Sequence, residues 1–318
     1  MRAYMTNRFG DLEDLRLADV ERPKPEPDEV LVRVRAAALN PADYKVLTAT
    51  GGGRFLHAAE FPLVLGFDFS GSVEQVGEHV KDLEPGADVF GFLPYSKQTR
   101  QGTFAEYVTV SPETIAKKSS AIAHVDAACA ATAGSTALQG LRDKCKLSSG
   151  AKVLINGASG GVGAYATSIA KLLGAEVWGT CSQAKTDFVR ERGADHVIDY
   201  KEKRIRDLSV QFDAVFDAAS TSSFAECRPR LTRAGTYVTL LPSLRLATGI
   251  VSALISKKSC KIVVVKPRRD DLTTLAQWME QAELRPAIGA TYPLPQLPEA
   301  LVAHRSGKIA GKIAITID

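Results

Sequence analysis

The sequence predicts an α/β protein of two domains, one mostly β and the other built on a parallel sheet. Three observations carry that expectation. Short segments with period-two alternation and Gly/Pro punctuation fill the chain up to about residue 125. Apolar strands then alternate with helical stretches as far as about residue 265, which is how a parallel sheet with crossover helices reads. The last segment, 312–317, returns to the alternation of the N-terminal part. The first domain is therefore expected to be discontinuous, at 1–124 and 266–318, with the second inserted at 125–265. A length of 318 residues agrees with about two domains.

Each element has its own signal. Val30, Val32 and Val34 face one way while Leu31, Arg33 and Arg35 face the other, as in a half-buried strand. Turns follow at 51–53, at 66–71 and at Pro85-Gly86, with strand-like pieces at 88–92 and 103–110. Their sum is a mostly β domain, expected to be a barrel. In the second domain strands are expected at 152–156, 176–180, 196–199, 212–217, 236–241 and 261–265, and six is the number of a dinucleotide-binding sheet. The helix after the first of them carries Val162, Ala166, Ile169, Ala170 and Leu173 on one face, which must pack on the sheet. Helices at 271–284 and 297–306 precede the final strand.

Composition removes several alternatives. Apolar residues are 45% and charged residues 24%, so disordered, collagen-like and coiled-coil readings have no basis. Lys plus Arg is 40 against 36 Asp plus Glu, and a net +4 is too little for a nucleic-acid surface. The best candidate for a membrane span, 236–256, is interrupted by Pro242 and Arg245, so no membrane partner is expected. Met1 runs straight into a strand-like segment without a basic-then-apolar leader, which sets a cytoplasmic expectation. The five cysteines, at 129, 145, 181, 227 and 260, have no local pairing suited to metal or redox work. They read as small buried thiols in a reducing compartment.

The segment NGASGGVG, 156–163, lies directly between a strand and an amphipathic helix. Glycines there let the backbone approach a pyrophosphate, and a helix N-terminus supplies unpaired N–H groups. Ser159, Gly160, Gly161 and Val162 are the expected contacts. About twenty residues on, an NAD site would place an acid at the end of the second strand for the ribose 2′-hydroxyl. Here that strand ends in TCSQAK, 180–185, with no acid. Thr180, Ser182 and Lys185, joined by Tyr200 at the end of the third strand, suit a 2′-phosphate instead, so NADPH is the expected cofactor. A charge-assisted contact of this kind is worth about 1.5–3 kcal/mol, enough to set the preference.

Further along the same reading, NPADYK at 40–45, GFDFSG at 66–71, PGADVFG at 85–91, NGASGGVG at 156–163 and GKIAI at 311–315 together resemble the medium-chain dehydrogenase/reductase superfamily. The resemblance covers almost the whole chain. It implies a GroES-like β-barrel catalytic domain and a Rossmann dinucleotide-binding domain. Within the superfamily the chain is most similar to the zinc-independent quinone oxidoreductase and enone oxidoreductase branch. The zinc enzymes of the superfamily carry a Cys in the early loop, a His in a Gly-His-Glu motif, and a further ligand before the dinucleotide fold. Here the early loop, 40–45, has no Cys, the second motif reads Gly66-Phe67-Asp68, and 131–135 offers no ligand. No metal is therefore expected, and Cys129 alone is not a site.

The resemblance also implies roles. Lys45, in the Asn-Pro-x-Asp-x-Lys pattern, is the expected stabiliser or proton donor at the substrate oxygen; a plain surface lysine is the alternative. Tyr44 is a second catalytic candidate, displaced by one place from the tyrosine of some quinone reductases, with a core aromatic as its alternative. Asn40 and Thr136, the latter at the expected start of the helix entering the cofactor domain, are implied cofactor contacts, with an N-cap as the alternative for Thr136. Ala219 and Leu241 follow the fourth and fifth strands and are expected to meet the cofactor through backbone groups. Phe92 and Tyr95 are candidates for an apolar pocket wall, and Asp68 is expected to pack beside strands with a backbone hydrogen bond.

The function expected is hydride transfer from NADPH to a quinone or to the C=C bond of an α,β-unsaturated carbonyl. Two alternatives stand beside it: an enoyl-thioester reductase of the same fold, and a non-catalytic, crystallin-like NADPH-binding protein. The expected partner is a small-molecule substrate, and the resemblance implies either a homodimer built through the cofactor domains or, as in the enone-reductase members, a monomer.

Overall fold

The computed structural model describes residues 1–318. Its first strands are β1 (Arg2–Thr6), β2 (Arg16–Asp19) and β3 (Val30–Ala38), followed by helix α1 (Pro41–Thr48) and then by β4 (Leu63–Val64), β5 (Asp68–Val76), β6 (Asp88–Phe92), β7 (Tyr107–Val110) and β8 (Ile115–Lys117). Helix α2 (His124–Leu138) comes next. The second part runs β9 (Lys152–Asn156), α3 (Gly161–Leu172), β10 (Glu176–Cys181), α4 (Thr186–Glu191), β11 (His196–Asp199), β12 (Phe212–Asp217), α5 (Phe224–Cys227), β13 (Leu231–Thr239), α6 (Leu244–Leu254) and β14 (Ser259–Ile262). The chain then closes with α7 (Arg269–Glu280), β15 (Ile288–Pro293), α8 (Leu297–Arg305) and β16 (Lys312–Thr316).

Two compact units divide the chain. One is 1–132, 266–282 and 288–318; the other is 133–265 and 283–287. The division falls inside α2, after Thr132, and not at the expected 124/125. The short piece 283–287 joins the second unit because its carbonyls are used there: Arg192 Nη1 donates to Pro286 O at 2.9 Å.

In the first unit β3 is the strand on which the rest is registered. Val30, Val32 and Val34 are buried, and Arg33 and Arg35 keep partial exposure, so the period-two pattern is realised there; Leu31, expected on the outward face, is buried as well. One edge of β3 pairs with β5 along its length; the other takes β7 at Val30–Arg33 and β16 at Ala36–Ala38. The resulting sheet runs β15-β16-β3-β5-β6-β8, with a separate three-stranded sheet β2-β1-β4. Phe67, Phe69, Phe104, Leu297, Leu301, Ile313 and Ile315 fill the core between the valines. The strand expected at 103–110 begins only at Tyr107, because Ala105 leaves the large sheet to bridge Ala3.

The second unit holds a fully parallel sheet, β11-β10-β9-β12-β13-β14, the doubly wound order whose ligand sites lie beyond the strand carboxyl ends. Leu154, Phe212, Val215, Phe224 and Leu231 form its core. The strand expected at 236–241 starts five residues earlier, at Leu231, which pairs with Phe212 across a register shift. The last strand is Ser259–Ile262 and not 261–265.

β16 contributes a charge as well as a strand. Lys312 is 4% exposed, and its ammonium donates to Leu39 O at 2.6 Å, Asn40 Oδ1 at 2.7 Å and Asp68 Oδ2 at 3.0 Å. All three of its donors are satisfied. Replacing Lys312 by Met leaves the Asp68 carboxylate buried without a counter-charge, and an equilibrium denaturant titration is expected to show a loss of about 3–5 kcal/mol. A loss below about 1 kcal/mol would show that the charge is not needed there.

Candidate functional site

The candidate residues fall into two groups, one in each unit. In the second, β9 ends at Asn156 and the chain turns through Gly157 (φ +79°) into α3, whose N-cap Gly160 gives no side-chain cap. The first N–H groups of α3 are therefore left without a side-chain acceptor of their own, the arrangement that receives an anion. Glycine is required for close packing as well. A Cβ on Gly163 would lie 2.1 Å from Gly157 O, and one on Gly157 would lie 2.7 Å from Ala219 Cβ. Only Gly157 O, at 3.5 Å, stands near a Cβ on Gly160, so space over the turn is open. Ser159, Gly161 and Val162 keep partial exposure on this turn, and the residues fit a bound pyrophosphate.

After β10, Ser182 opens a short helical turn, and Lys185 N–H donates to Ser182 O at 2.9 Å. Both side chains are half-buried. Burial lowers the Lys185 ammonium pKa, with Cys181 pulling the other way. Tyr200 is 56% exposed, and its N–H donates to Cys181 O at 3.1 Å, which brings it beside the same turn. Asp199, not singled out from the sequence, also stands here. Its two oxygens accept Gln183 N–H at 3.1 Å and Lys201 N–H at 2.9 Å, so the acid serves as a cap for two turns. Ala219 is exposed and tied by its N–H to Asn156 O at 3.2 Å, and Leu241 is 43% exposed just past β13.

Thr180 is a correction. It is 2% exposed; its Oγ1 donates to Asn156 Oδ1 at 2.7 Å and accepts Gly157 N–H at 3.0 Å, so it braces the turn and has no free group for a ligand. Thr136 is another. It sits well inside α2, 6% exposed, because Gly134 does not interrupt this small-residue helix; it neither starts nor caps it.

In the first unit α1 is opened by Pro41 and by Asp43 Oδ2, which accepts Asn40 N–H at 2.6 Å. The helix buries Asp43, Val46 and Leu47, at spacings of three and four. Tyr44, beside that stripe, is partly buried: its ring packs against the core of the unit and under Arg305 at 4.1 Å, and its hydroxyl donates to Asp11 at 3.3 Å, so its place is closer to the core-aromatic alternative than to a catalytic group. Asn40 is likewise corrected: its side chain is 6% exposed and its amide oxygen is held by Lys312. Lys45 is half-buried, with its alkyl stem over Gly51, where an added Cβ would meet Lys45 Cε at 3.4 Å. Burial alone lowers its ammonium pKa; no carboxylate holds it.

Behind α1 lies a dense buried cluster. Asp68, fully buried, accepts Thr132 N–H at 3.2 Å and the Thr132 hydroxyl on one oxygen, and Lys312 on the other. Thr132 also bonds the Tyr95 hydroxyl, which burial and the Asp68 and Asp43 charges hold well above the ordinary phenol range. Tyr95 packs on Phe67 at 4.4 Å between ring centroids, whereas Phe92 is wholly core. Asp43 is pushed up to about 8, first by burial and then by Asp68, with the Asn40 N–H and Lys312 opposing; its Oδ1 has no partner. No three His, Cys, Asp or Glu side chains come together in a way that could hold a metal ion, so the residues present do not fit a zinc centre. All five cysteines are free and buried, and burial pushes Cys129 up to about 12. No helix is long and apolar enough to cross a membrane.

Comparison with known proteins decides the family. Residues 26–120 match the alcohol dehydrogenase GroES-like domain, and residues 192–315 match the zinc-binding dehydrogenase family. The human mitochondrial NAD(P)H oxidoreductase RTN4IP1 is 32% identical over 100% of this chain and 89% of its own length. The chain belongs to the medium-chain dehydrogenase/reductase superfamily. Among other members, the trans-enoyl reductase pgmF of Aspergillus terreus is 32% identical over 92% of this chain and 87% of that protein. The quinone oxidoreductase structure from Coxiella burnetii superposes with a TM-score of 0.90 at 29% identity, covering 100% of this chain and 99% of that one. As a member of this superfamily the protein is an oxidoreductase of the nicotinamide-dependent type.

The Asp43 acid gives a pH signature. The native state holds a proton that the unfolded chain, with a carboxyl near 3.8, releases. Its contribution is therefore fully present below about pH 4 and lost as pH rises to about 8. Melting curves across that window are expected to fall with pH, and to fall less steeply in Asp43→Asn. Parallel slopes for the two proteins would show that Asp43 is ionised throughout.

Proposed function

We propose that this protein is a zinc-independent, NADPH-dependent reductase of the cytoplasm that delivers hydride to a quinone or to the C=C bond of an α,β-unsaturated carbonyl. The observation that carries the reading is the pair of turns in the second unit. One is an uncapped glycine turn suited to a pyrophosphate; the other offers Ser182 and Lys185 to a 2′-phosphate, with the acid at the end of the third strand, Asp199, occupied by backbone N–H groups. Bound NADPH supplies the hydride. The chain's own task is to hold the phosphates and to meet the negative charge that grows on the carbonyl oxygen. Lys45 suits that task, because a half-buried ammonium without a carboxylate partner keeps its charge for a ligand and gives up a proton more readily than an exposed one. The likeness to a trans-enoyl reductase favours enoyl thioesters as the second substrate class.

Loss of NADPH absorbance with a panel of quinones, short-chain enones and enoyl thioesters tests the reading. Turnover is expected on at least one class, reduced about a hundredfold or more in Lys45→Met. Lys185→Ala is expected to cut the preference for NADPH over NADH about tenfold or more. Tight NADPH binding without turnover on any member of the panel would leave the crystallin-like, non-catalytic alternative. One zinc per chain by metal analysis would overturn zinc independence.

The same proposal includes a homodimer through the second unit. Leu244, Val251, Leu254 and Ile255 form an outward apolar stripe on α6, each at least 65% exposed, and β14 is an unpaired sheet edge. Two copies of such an edge can pair about a two-fold axis. Arg245 and Lys257 flank the stripe, so like charges would face each other and added salt should strengthen association. Sedimentation velocity is expected to show a dimer that Val251→Glu with Leu254→Glu converts to monomer. A wild-type monomer at all salt concentrations would remove it.

A further inference from the structure

The glycine turn does not stand on its own glycines alone. Asp217, the last residue of β12, is fully buried, and the groups that bond its carboxylate are all neutral. Its Oδ1 accepts Asn156 Nδ2 at 2.7 Å and, more weakly, Thr221 N–H at 3.4 Å; its Oδ2 accepts Ser222 N–H at 2.9 Å and the Tyr237 hydroxyl at 2.8 Å. Burying a carboxylate is costly unless every lone pair is used, and so complete a set of donors marks a group kept for its charge.

That charge has a directional effect. A carboxylate only accepts, so Asn156 must turn its NH₂ toward Asp217, where the Thr221 hydroxyl oxygen also accepts from it at 3.1 Å, and its carbonyl away. The Asn156 carbonyl then faces Thr180, whose hydroxyl donates to it at 2.7 Å. A hydroxyl has one proton to give, and with that proton spent on Asn156 the Thr180 oxygen is left to accept Gly157 N–H, at 3.0 Å. Gly157 is the first residue of the turn. The polarity of four consecutive groups thus runs from the end of β12, through β9 and β10, to the first peptide of the phosphate-binding turn. The Tyr237 contact adds β13, and the Ala219 N–H bond to Asn156 O ties down the loop after β12.

We propose that Asp217 is a positioning residue for cofactor binding: through Asn156 and Thr180 it fixes the direction of the Gly157 peptide, and with it the N–H groups offered to the pyrophosphate. The proposal rests on the dinucleotide reading given above. Asp217 touches no ligand itself. Its predicted effect falls on the pyrophosphate and not on the adenosine 2′-phosphate, which the separate Ser182–Lys185 turn would hold.

The test compares two probes, NADPH and 2′-AMP, by calorimetric titration of the full chain. Asp217→Asn is expected to weaken NADPH about ten- to a hundredfold while 2′-AMP stays within about twofold. Asn156→Asp combined with Asp217→Asn restores a donor facing an acceptor and is expected to recover NADPH to within about threefold of wild type. Thr180→Val removes the last two links, to Asn156 Oδ1 and from Gly157 N–H, and is expected to weaken NADPH selectively as well. Unchanged NADPH affinity in Asp217→Asn, a parallel loss of both probes, or no recovery in the exchanged pair would overturn the proposal. If Asp217→Asn does not fold, Thr180→Val decides, and wild-type NADPH affinity in that variant overturns it. Wild-type protein that binds neither probe would instead defeat the dinucleotide reading.

Discussion

The buried ammonium of Lys312 organises the first unit. It sits on the strand that the chain adds last, and it reaches a main-chain carbonyl at the end of β3, the amide of Asn40 and the carboxylate of Asp68 at the start of β5. A charge in that position is tolerated only because each of its protons has a partner and the nearest carboxylate is ionised. Once Lys312 is spent on Asp68, little compensation is left for Asp43, which is pushed toward its neutral form. The entry to α1 is fixed by the same set of contacts, and α1 carries Lys45 on the flank of its buried stripe. The disposition of the candidate ammonium is therefore a consequence of an ion pair that it does not join.

The second unit solves a similar problem without a cation. Asp217 is surrounded by dipoles alone: an amide, two backbone N–H groups and a phenol. An ion pair neutralises charge, whereas a carboxylate satisfied by dipoles orients them. The two units thus use buried acids differently. In one the acid balances a lysine that joins distant strands; in the other it sets which way a chain of hydrogen bonds points. Both acids lie at strand ends, where sheet geometry is firm and the loops that meet ligands begin.

How much of this was legible in the sequence depends on the range over which each signal acts. The strand pattern of Val30–Val34, the six parallel strands and the glycine turn were readable because period and turn chemistry are local. For Tyr44 the helix phase favours the core-aromatic alternative: Asp43, Val46 and Leu47 make the inward stripe, and the tyrosine at its flank packs partly against the core. Thr180 looked like a ligand because a hydroxyl at a strand end often is one; its partner Asn156 is 24 residues away, and the acid that orients Asn156 is 61 residues from it. The commitment of Asn40 to Lys312 spans 272 residues, and no local pattern announces it. Thr136 was placed at a helix start by the likeness of 134–137 to the superfamily's Gly-x-Thr-Ala pattern, yet a helix rich in alanine runs from His124 through Gly134. Asp199 was missed because the acid was sought on the second strand and stands at the end of the third.

The insertion of one unit into the other has a consequence for biosynthesis. β16 lies between β15 and β3 in the large sheet, so the edge of β3 at Ala36–Ala38 stays unpaired until the ribosome has made the whole inserted segment. The second unit, continuous except for 283–287, can close its sheet as soon as β14 emerges. The N-terminal half of the first unit must wait meanwhile with an open edge and with Asp68 lacking its lysine.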